Sequence, residues 1–190
     1  NPYNAGMRGK KNSEYDGGHR VPFFIRWKNG NIEAGRDISQ ITSHIDVLPT
    51  LIDLCNLEDK YQTIYDGKSL VPLLNNEFYQ WNDRILITDS QRLQHPVKWR
   101  KSAVMSDKYR LVNGNELYNI IEDPSQQNDI AEQHPEMVKQ YREVYEVWWT
   151  DVSERFDEYA GIIIGSKFEN PVHITSHDWH SESQVPWHQR

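Results

Sequence analysis

The amino-acid sequence predicts a mixed α/β chain whose second half is α+β, a small antiparallel sheet with one long helix packed on it. Three observations support this fold class. Several short apolar or alternating runs between residues 84 and 120 are separated by turn-forming residues, as in a strand meander. A helical apolar period begins at Pro135, and a shorter one lies between residues 44 and 55. A run of aromatic and β-branched residues at 21–27 is typical of a buried strand.

Composition indicates a folded chain and disfavours two classes of partner. The 190 residues include 7 Trp, 10 Tyr and 5 Phe, an aromatic content that is not typical of disordered chains. The formal net charge is 21 − 28 = −7, which disfavours generic nucleic-acid binding. No apolar run approaches the roughly 20 residues that cross a bilayer, so no membrane partner is expected.

The first twenty residues are predicted to be a loop, because they contain four glycines and no sustained apolar period. The loop is locally basic, with Arg8, Lys10, Lys11 and Arg20 against Glu14 and Asp16. Lysines beside a strand suit a compact anion such as sulfate or phosphate. The Gly17-Gly18 pair would let the backbone turn sharply beside a ligand. A solvated surface turn is the alternative interpretation.

The run 21–27 is predicted to be a buried strand, with Pro22 at its start, where a missing amide hydrogen does least harm. An apolar stripe then predicts a helix that begins near Asp46 and reaches Cys55. Asp46 is expected to cap this helix, and His44 to be a packing residue. Cys55 is the one cysteine, which excludes an internal disulfide, and it is expected to be a buried, inert thiol.

A short helix is predicted over 69–74, and a polar, aromatic linker at 75–83 marks the internal boundary of the chain. Four predicted strands follow, at 84–90, 102–106, 109–113 and 116–120. The Asn113-Gly114 pair between the last two strands is a strong signal for a tight hairpin.

A long amphipathic helix is predicted from Pro135 to about Phe156. We expect it to lie across the strand meander and supply its core, since an isolated meander is only marginally stable. Its inner face would consist of Met137, Tyr141, Val144, Trp148 and Val152.

Four segments resemble motifs of the sulfatase family, and they occur in the family's order. GKKNSEYDGGHRVPFFIRW is similar to Lys-x-x-x-Tyr-Glu-Gly-Gly-x-Arg-Val-Pro, and SHIDVLPTLIDLCN to His-x-Asp-x-x-Pro-Thr-Leu-x-x-Leu. DGKSLVPLL resembles Asp-Gly-x-Ser-Leu-x-Pro-Leu-Leu, and ELYNIIEDPSQQNDIAEQHPE resembles Glu-Leu-Tyr-Asp-x-x-x-Asp-Pro-x-Glu-x-x-Asn-Leu-Ala. Together they cover roughly residues 7–136, and NPVHITSHDWH is similar to the tail of bacterial arylsulfatase-like members.

The resemblance implies the C-terminal part of an alkaline-phosphatase-like sulfatase fold. Residues 1–75 would be the C-terminal segment of the large α/β domain. Residues 84–156 would be the C-terminal subdomain, a four-stranded antiparallel sheet with a long packed helix, and 157–190 an aromatic and histidine-rich tail. The partner of this chain would be the missing N-terminal part of the sulfatase domain.

The resemblance also implies the chemistry. Sulfatases hydrolyse sulfate esters with a formylglycine, made in a Cys/Ser-x-Pro-x-Arg motif, and with calcium held by Asp-Asp and Asp-Asn pairs. These motifs do not occur in the sequence, so neither group is expected to be bound by this chain alone, which is expected to be inactive. Lys11 lies five residues before Asp16, the family's spacing for its sulfate-binding lysine. Lys11 is therefore the catalytic residue carried over, and it would stabilise negative charge in the transition state.

Three further residues of the loop are candidates for substrate binding, namely Lys10, His19 and Arg20. Lys10 is one step out of the lysine register, His19 could contact the substrate, and Arg20 could instead form a structural ion pair. Asp16, where the family has Glu, is interpreted as a residue that ties down the turn.

The tail offers a second candidate for substrate binding. His177, Trp179 and His180 could form the edge of a sugar-binding surface, since the indole offers a flat face and the imidazoles offer hydrogen bonds. A histidine pair three residues apart can also bind a metal, but no third or fourth ligand has a defined spacing. An ordinary packed tail is the other alternative, and no metal site is assigned.

The leading hypothesis is a C-terminal fragment of a sulfatase that, when complete, hydrolyses the sulfate ester of a sulfated sugar or an aryl sulfate. Two alternatives stay open: a phosphodiesterase or phosphonate hydrolase of the same superfamily, and a non-catalytic glycan-binding module. By resemblance, the complete enzyme would be a periplasmic or secreted bacterial protein.

Overall fold

The computed structural model of the chain describes residues 3–30, 32–58, 63–77, 81–93, 95–158, 162–165 and 171–174. A four-stranded antiparallel sheet lies between residues 86 and 119. Its strands are β1 (Leu86–Asp89), β2 (Ser102–Met105), β3 (Tyr109–Val112) and β4 (Glu116–Asn119), and each pairs with the next along the chain. The predicted meander is therefore confirmed.

The β3–β4 hairpin closes through the predicted Asn113-Gly114 turn. Both residues have positive φ, 49° and 72°, as the central residues of a type I′ turn require. The Asn115 amide donates to the Val112 carbonyl at 3.0 Å, which closes the turn. Because this turn matches the twist of the two strands, it fixes their register without help from distant residues.

The long helix α4 (Pro135–Ser153) covers one face of the sheet, as predicted. Its buried side chains Tyr141 and Tyr145 pack on an apolar residue from each of three strands, Val104, Leu111 and Leu117. Val104 faces Leu111 and Leu111 faces Leu117 across the ladder, so the three side chains form one row under the helix.

The predicted inner face of α4 is right at Tyr141 but misses the most buried residue of the helix. Tyr145 has no exposed surface, whereas Val144 is only partly buried. The Tyr145 ring stacks on Trp99, with ring centroids 3.7 Å apart. Its hydroxyl accepts a hydrogen bond from the Trp99 amide at 3.0 Å. Trp99 lies in the connection between β1 and β2, far from Tyr145 in the sequence. The burial of Tyr145 therefore depends on a contact that the local sequence of α4 does not reveal.

The run 21–27 is not a strand, and this prediction is wrong. It pairs with no strand in the described part of the chain, and its side chains are exposed, Phe24 by 90% and Val21 by 74%. A buried strand needs neighbours that take up its amide and carbonyl groups. No described strand lies beside this run, which physically accounts for its irregular backbone.

The predicted helix near residue 46 is present as a 3₁₀ turn, His44–Asp46, that continues into α2 (Val47–Leu54). The apolar stripe of α2 does not face the core. Leu48 and Leu51 are 56% and 50% exposed, and the buried residue of the helix is Thr50. The Thr50 hydroxyl accepts a hydrogen bond from the Leu70 amide at 2.9 Å.

Two expectations around α2 are wrong. Cys55 ends the helix and is an exposed free thiol, although a buried one was expected. His44 is exposed rather than packed. Both follow from the orientation of α2, because no described element covers the side of the helix on which its apolar residues lie.

Asp46 is fully buried and joins α2 to the sheet. Its carboxylate accepts hydrogen bonds from the Ser43 amide at 2.7 Å and the Lys68 amide at 2.9 Å. It also pairs with the guanidinium of Arg84, two residues before β1, at 2.8 Å. The carboxylate thus forms a capping box with Ser43 on the 3₁₀ turn instead of capping α2 itself, which corrects the predicted cap.

The remaining described elements are short. They are α1 (Asp16–His19), α3 (Val71–Leu74), a 3₁₀ turn at Ala131–Gln133, and an antiparallel hairpin of β5 (Ile162–Gly165) and β6 (Pro171–Ile174). The prediction of a short helix at 69–74 is confirmed, and the hairpin lies in the segment that was predicted as a tail. Among the described residues, no helix combines the length and the apolar character needed to span a membrane.

Replacing Tyr145 with alanine is expected to lower the free energy of unfolding by about 3–5 kcal/mol, the usual cost of truncating a buried aromatic side chain. Tyr145→Phe keeps the ring and leaves the Trp99 amide unpaired, so it should cost only about 1–3 kcal/mol. Urea unfolding followed by circular dichroism measures both values. Val147→Ala, at a position of the same helix that is 74% exposed, is the control, and an equal loss there would contradict the role of Tyr145.

Candidate functional site

The basic loop (residues 8–20) lies on the face of the sheet opposite α4. A loop was predicted throughout, but residues Asp16–His19 form the single helical turn α1. Tyr15 packs on a small apolar cluster formed by Val112 of β3, Tyr118 of β4 and Ile120, which directly follows β4. The sheet therefore uses both faces, one for α4 and one for the segment that carries the candidate lysines.

Arg110 of β3 holds the basic loop from below. Its side chain is fully buried. One guanidinium nitrogen, Nη1, lies 3.2 Å from Asp16 Oδ1, and Nε donates to the Glu14 carbonyl at 3.1 Å. Burial lowers the pKa of Arg110 to about 10, while Asp16 acts in the opposite direction, so the side chain is a cation at neutral pH. Asp16 is itself 5% exposed, which confirms that it ties down the turn.

Gln126, which follows the sheet, adds a second anchor. Its side-chain carbonyl accepts a hydrogen bond from the Asp16 amide at 2.7 Å, and its backbone carbonyl accepts one from Arg8 at 2.9 Å. Gln126 is fully buried. The two ends of the basic loop are thus tied to one residue of the small subdomain.

A polar network closes the edge of this contact. Arg8 lies over the Tyr15 ring, 3.7 Å from its centroid, and donates to the Tyr118 hydroxyl at 3.0 Å. Tyr15 and Tyr118 both donate to the Glu116 carboxylate, at 2.9 and 2.5 Å. Burial and this carboxylate raise the pKa of Tyr15 to about 12 and raise that of Tyr118 as well. Because these groups satisfy one another, the network is structural.

The Gly17-Gly18 pair is explained by backbone packing and not by a ligand. A Cβ atom on Gly17 would lie 2.7 Å from the Gly9 carbonyl oxygen, and one on Gly18 would lie 2.2 Å from the Ser13 carbonyl oxygen. Real Cβ atoms do not approach backbone that closely. The glycines let the basic loop fold back on itself, so the expectation of a ligand beside them is not needed to explain the pair.

The candidate residues of the loop differ in their exposure. Lys10 and Lys11 are exposed, and the Lys10 carbonyl accepts a hydrogen bond from the Ser13 amide at 2.8 Å in a tight turn. Arg20 is exposed and its Nε lies 3.4 Å from Asp16 Oδ2, the structural pair that was foreseen. His19 is half-buried, and its Nε2 atom has no hydrogen-bond partner in the described residues.

Two cations that sequence reasoning missed also reach this turn. Arg92 Nη2 lies 3.1 Å from the side-chain oxygen of Asn12, and Lys101 Nζ lies 3.4 Å from the Asn12 carbonyl. Both come from the β1–β2 connection, 80 and 89 residues from Asn12. No local pattern marks them, because only the folding of the basic loop onto the sheet brings them to Lys11.

The other candidates fall elsewhere. His177, Trp179 and His180 lie outside the described residues. Within the described ranges, no group of three or more His, Cys, Asp or Glu side chains is arranged to hold a metal ion. The calcium implied by the family resemblance therefore has no ligand set there, and no step of the reaction is assigned to it.

Comparison with known proteins is consistent with this arrangement. Residues 9–160 match the family model described as N-sulphoglucosamine sulphohydrolase, C-terminal. The chain is 29% identical to steryl-sulfatase of Mus musculus over 102 residues, which cover 54% of this chain and 16% of that protein. It is 25% identical to N-acetylgalactosamine-6-O-sulfatase of Bacteroides thetaiotaomicron over 155 residues, 73% of this chain and 29% of that protein.

A solved structure shares the fold. It comes from work on the metabolism of multiple glycosaminoglycans by Bacteroides thetaiotaomicron, and it superposes with a TM-score of 0.58 at 22% sequence identity. The superposition covers 76% of this chain and 32% of the other. The mixed α/β fold, with its small sheet and long helix, is thus one that sulfatase structures contain.

The sheet, the helix α4 and most of the basic loop lie within the span that matches the C-terminal domain of this class of proteins. With four fifths of its residues inside the matched span, the chain belongs to the sulfatase family through its C-terminal portion. It spans 16–29% of the length of the two relatives named above.

Arg110→Met should lower the free energy of unfolding by about 3–5 kcal/mol, because it removes the buried cation of the Asp16 carboxylate and leaves only the exposed Arg20 beside it. Adding Asp16→Asn should recover part of this loss, since the uncompensated charge is removed. Chemical unfolding of the two single variants and the double variant gives the coupling. Arg155→Met, at an exposed position after α4, is the control. Additive losses in the cycle would show that Arg110 and Asp16 do not act as a pair.

His19 provides a test of the same contact by pH. Burial, and next the nearby charge of Arg110, lowers the pKa of His19 below its usual 6.5. Since the folded state resists protonation, the contribution of His19 to stability is present above pH 6.5 and is lost as the pH falls through the lower folded pKa.

We therefore expect His19→Gln to flatten the decline of the unfolding free energy below pH 6.5. Denaturant unfolding at a series of pH values measures the difference between the two proteins. The same replacement at the exposed His44 is the control, and identical pH profiles for His19→Gln and the unaltered chain would count against the buried contact.

Proposed function

We propose that this chain is the C-terminal part of a sulfatase whose complete form hydrolyses the sulfate ester of a sulfated sugar or an aryl sulfate, with Lys11 binding the sulfate. The observation that carries the proposal is the basic loop itself. Lys11 is exposed, while the backbone on both sides of it is fixed to the sheet through Arg8 and Asp16. A cation held in this way is ready for an anion before the anion arrives.

The chemical role of Lys11 follows from its type and position. During hydrolysis of a sulfate ester, negative charge grows on the oxygens around sulfur as the bond to the leaving group breaks. An ammonium group that is already in place stabilises this charge with little reorganisation. By family resemblance, formylglycine would supply the nucleophile and calcium would hold sulfate oxygens, both in sequence outside this chain. Lys10, beside it, would contribute to the local positive potential.

The partner that we propose for this chain is the N-terminal part of the same sulfatase domain. Two neighbouring parts of the sequence expose apolar side chains, the run 21–27 and helix α2, with Phe24 90% and Leu48 56% exposed. Exposed apolar residues in contiguous runs are typical of surfaces that bind other protein segments. The short span of the chain relative to its relatives, 16–29%, agrees with a large missing part. By resemblance to bacterial members of the family, we also propose that the complete protein is periplasmic or secreted.

Lys11→Ala in the full-length enzyme is expected to lower turnover of an aryl sulfate by about tenfold or more, equivalent to at least about 1.4 kcal/mol of transition-state stabilisation. Steady-state kinetics with 4-nitrophenyl sulfate measures this effect. Lys139→Ala, on the exposed side of α4, is the matched control for loss of one positive charge. Unchanged kinetics for Lys11→Ala would refute the role given to Lys11.

A further inference from the structure

We propose that Arg92 and Lys101, together with Lys10, form a subsite for a second sulfate group on the same sugar ligand whose reacting sulfate Lys11 binds. This inference rests on the proposed function and specifies its substrate class, a sugar with more than one sulfate. Arg92 and Lys101 both contact Asn12, two residues after Lys10. The Asn12 side-chain oxygen lies 3.1 Å from Arg92 Nη2, and its backbone carbonyl oxygen lies 3.4 Å from Lys101 Nζ.

Hydrogen bonds and a stacking contact brace the described residues of the β1–β2 connection, which supplies Arg92 and Lys101. The Gln91 side chain accepts a hydrogen bond from the Val97 amide at 2.8 Å and donates to the Val97 carbonyl at 3.0 Å. At the other end of the connection, Trp99 is stacked on Tyr145 of α4. The core therefore supports the end of the connection that carries Lys101, and the Gln91–Val97 hydrogen bonds brace the end that carries Arg92.

The backbone at Lys101 is strained, and the strain is consistent with a functional position. Lys101 has a φ of 51°, in the left-handed region that costs most residues about 1–2 kcal/mol. Strained residues of this kind persist where surrounding contacts hold them, and they concentrate at binding sites. Here the conformation places the Lys101 ammonium next to the turn that carries Lys10 and Lys11.

The lysines of this surface, Lys10, Lys11 and Lys101, have no ion-pair partner among the described carboxylates. Glu14 accepts a hydrogen bond from the Asn113 side chain, and Asp89 accepts one from the Gln91 side chain. On a chain with a net charge of −7, such a local accumulation of positive charge is a surface that attracts anions.

A single sulfate does not use four cations. One ester sulfate carries one negative charge, which Lys11 and the groups of the complete active site would neutralise. Arg92 and Lys101 come from a different part of the fold than Lys11, and they extend the positive surface from the basic loop onto the β1–β2 connection. A neighbouring sulfate on the same sugar would meet these side chains, and a guanidinium beside an ammonium group suits its oxygens.

The test is a calorimetric titration of the 190-residue chain at low ionic strength, where screening is weak. The probes are sucrose octasulfate, glucose 6-sulfate and unsulfated sucrose. The variant combines Arg92→Gln with Lys101→Asn, because asparagine tolerates the left-handed backbone that position 101 adopts. The control combines Lys139→Gln with Arg155→Gln, which removes the same charge from exposed positions in and just after α4.

We expect the Arg92/Lys101 variant to bind sucrose octasulfate about tenfold more weakly or worse, and the Lys139/Arg155 control to stay within about twofold of the unaltered chain. Glucose 6-sulfate should lose much less affinity, and sucrose should not bind. Circular dichroism melting establishes that both variants are folded, and Arg92→Gln alone, at an exposed position, repeats the test if the double variant is not.

The proposal is overturned if both variants weaken binding equally, since net charge alone would then explain the affinity, or if neither does. It is also overturned if the unaltered chain fails to bind sucrose octasulfate. These outcomes are independent of the proposed catalytic role, because turnover of an aryl ester with one sulfate is measured separately with Lys11→Ala. Loss of turnover there together with unchanged octasulfate binding here would remove the subsite and leave the sulfatase assignment intact.

Discussion

The ion pair between Arg110 and Asp16 is the constraint on which the candidate site depends. A guanidinium with no exposed surface has lost its hydration, which costs several kcal/mol unless other groups replace the water. The Asp16 carboxylate and the Glu14 carbonyl replace it in part, at 3.2 and 3.1 Å. Because both acceptors belong to the basic loop, the sheet cannot hold Arg110 in this position unless the loop is in place. The position of Lys11 thus follows from a buried charge five residues away in sequence.

A second buried ion pair joins the two parts of the sequence on either side of residues 75–83. Asp46 is also fully buried, and its cation is Arg84, which enters the sheet at β1. In each pair the aspartate comes from the first segment and the arginine from the sheet or its edge. Removal of either partner would leave a buried charge unpaired, so the two segments are held together by electrostatics as well as by packing. The composition boundary between them is therefore crossed by two specific bonds.

The structural features that were predicted correctly are set by residues close together in the sequence, whereas the features that were missed depend on contacts between residues far apart in the sequence. The Asn113-Gly114 turn and the period of α4 are set by neighbouring residues, and both are confirmed. Tyr145 was missed because its burial depends on Trp99, and the strand prediction for 21–27 failed because no described strand lies beside that run. In the candidate site, the lysines could be found from spacing and family resemblance. Arg92, Lys101 and Gln126 could not, since each reaches the basic loop only through the fold.

The glycines of the basic loop show how a binding motif and a folding requirement can be the same residues. Gly17 and Gly18 would each clash with backbone oxygens of the loop if they carried a Cβ atom. That close packing brings the Asp16 amide to Gln126 and turns its carboxylate to Arg110. A motif that pairs lysine with a downstream Gly-Gly is thus physically coherent without a ligand at the glycines. The glycines fold the loop, the acid fixes it to the sheet, and the lysines are left exposed on the outside, where an anion can reach them.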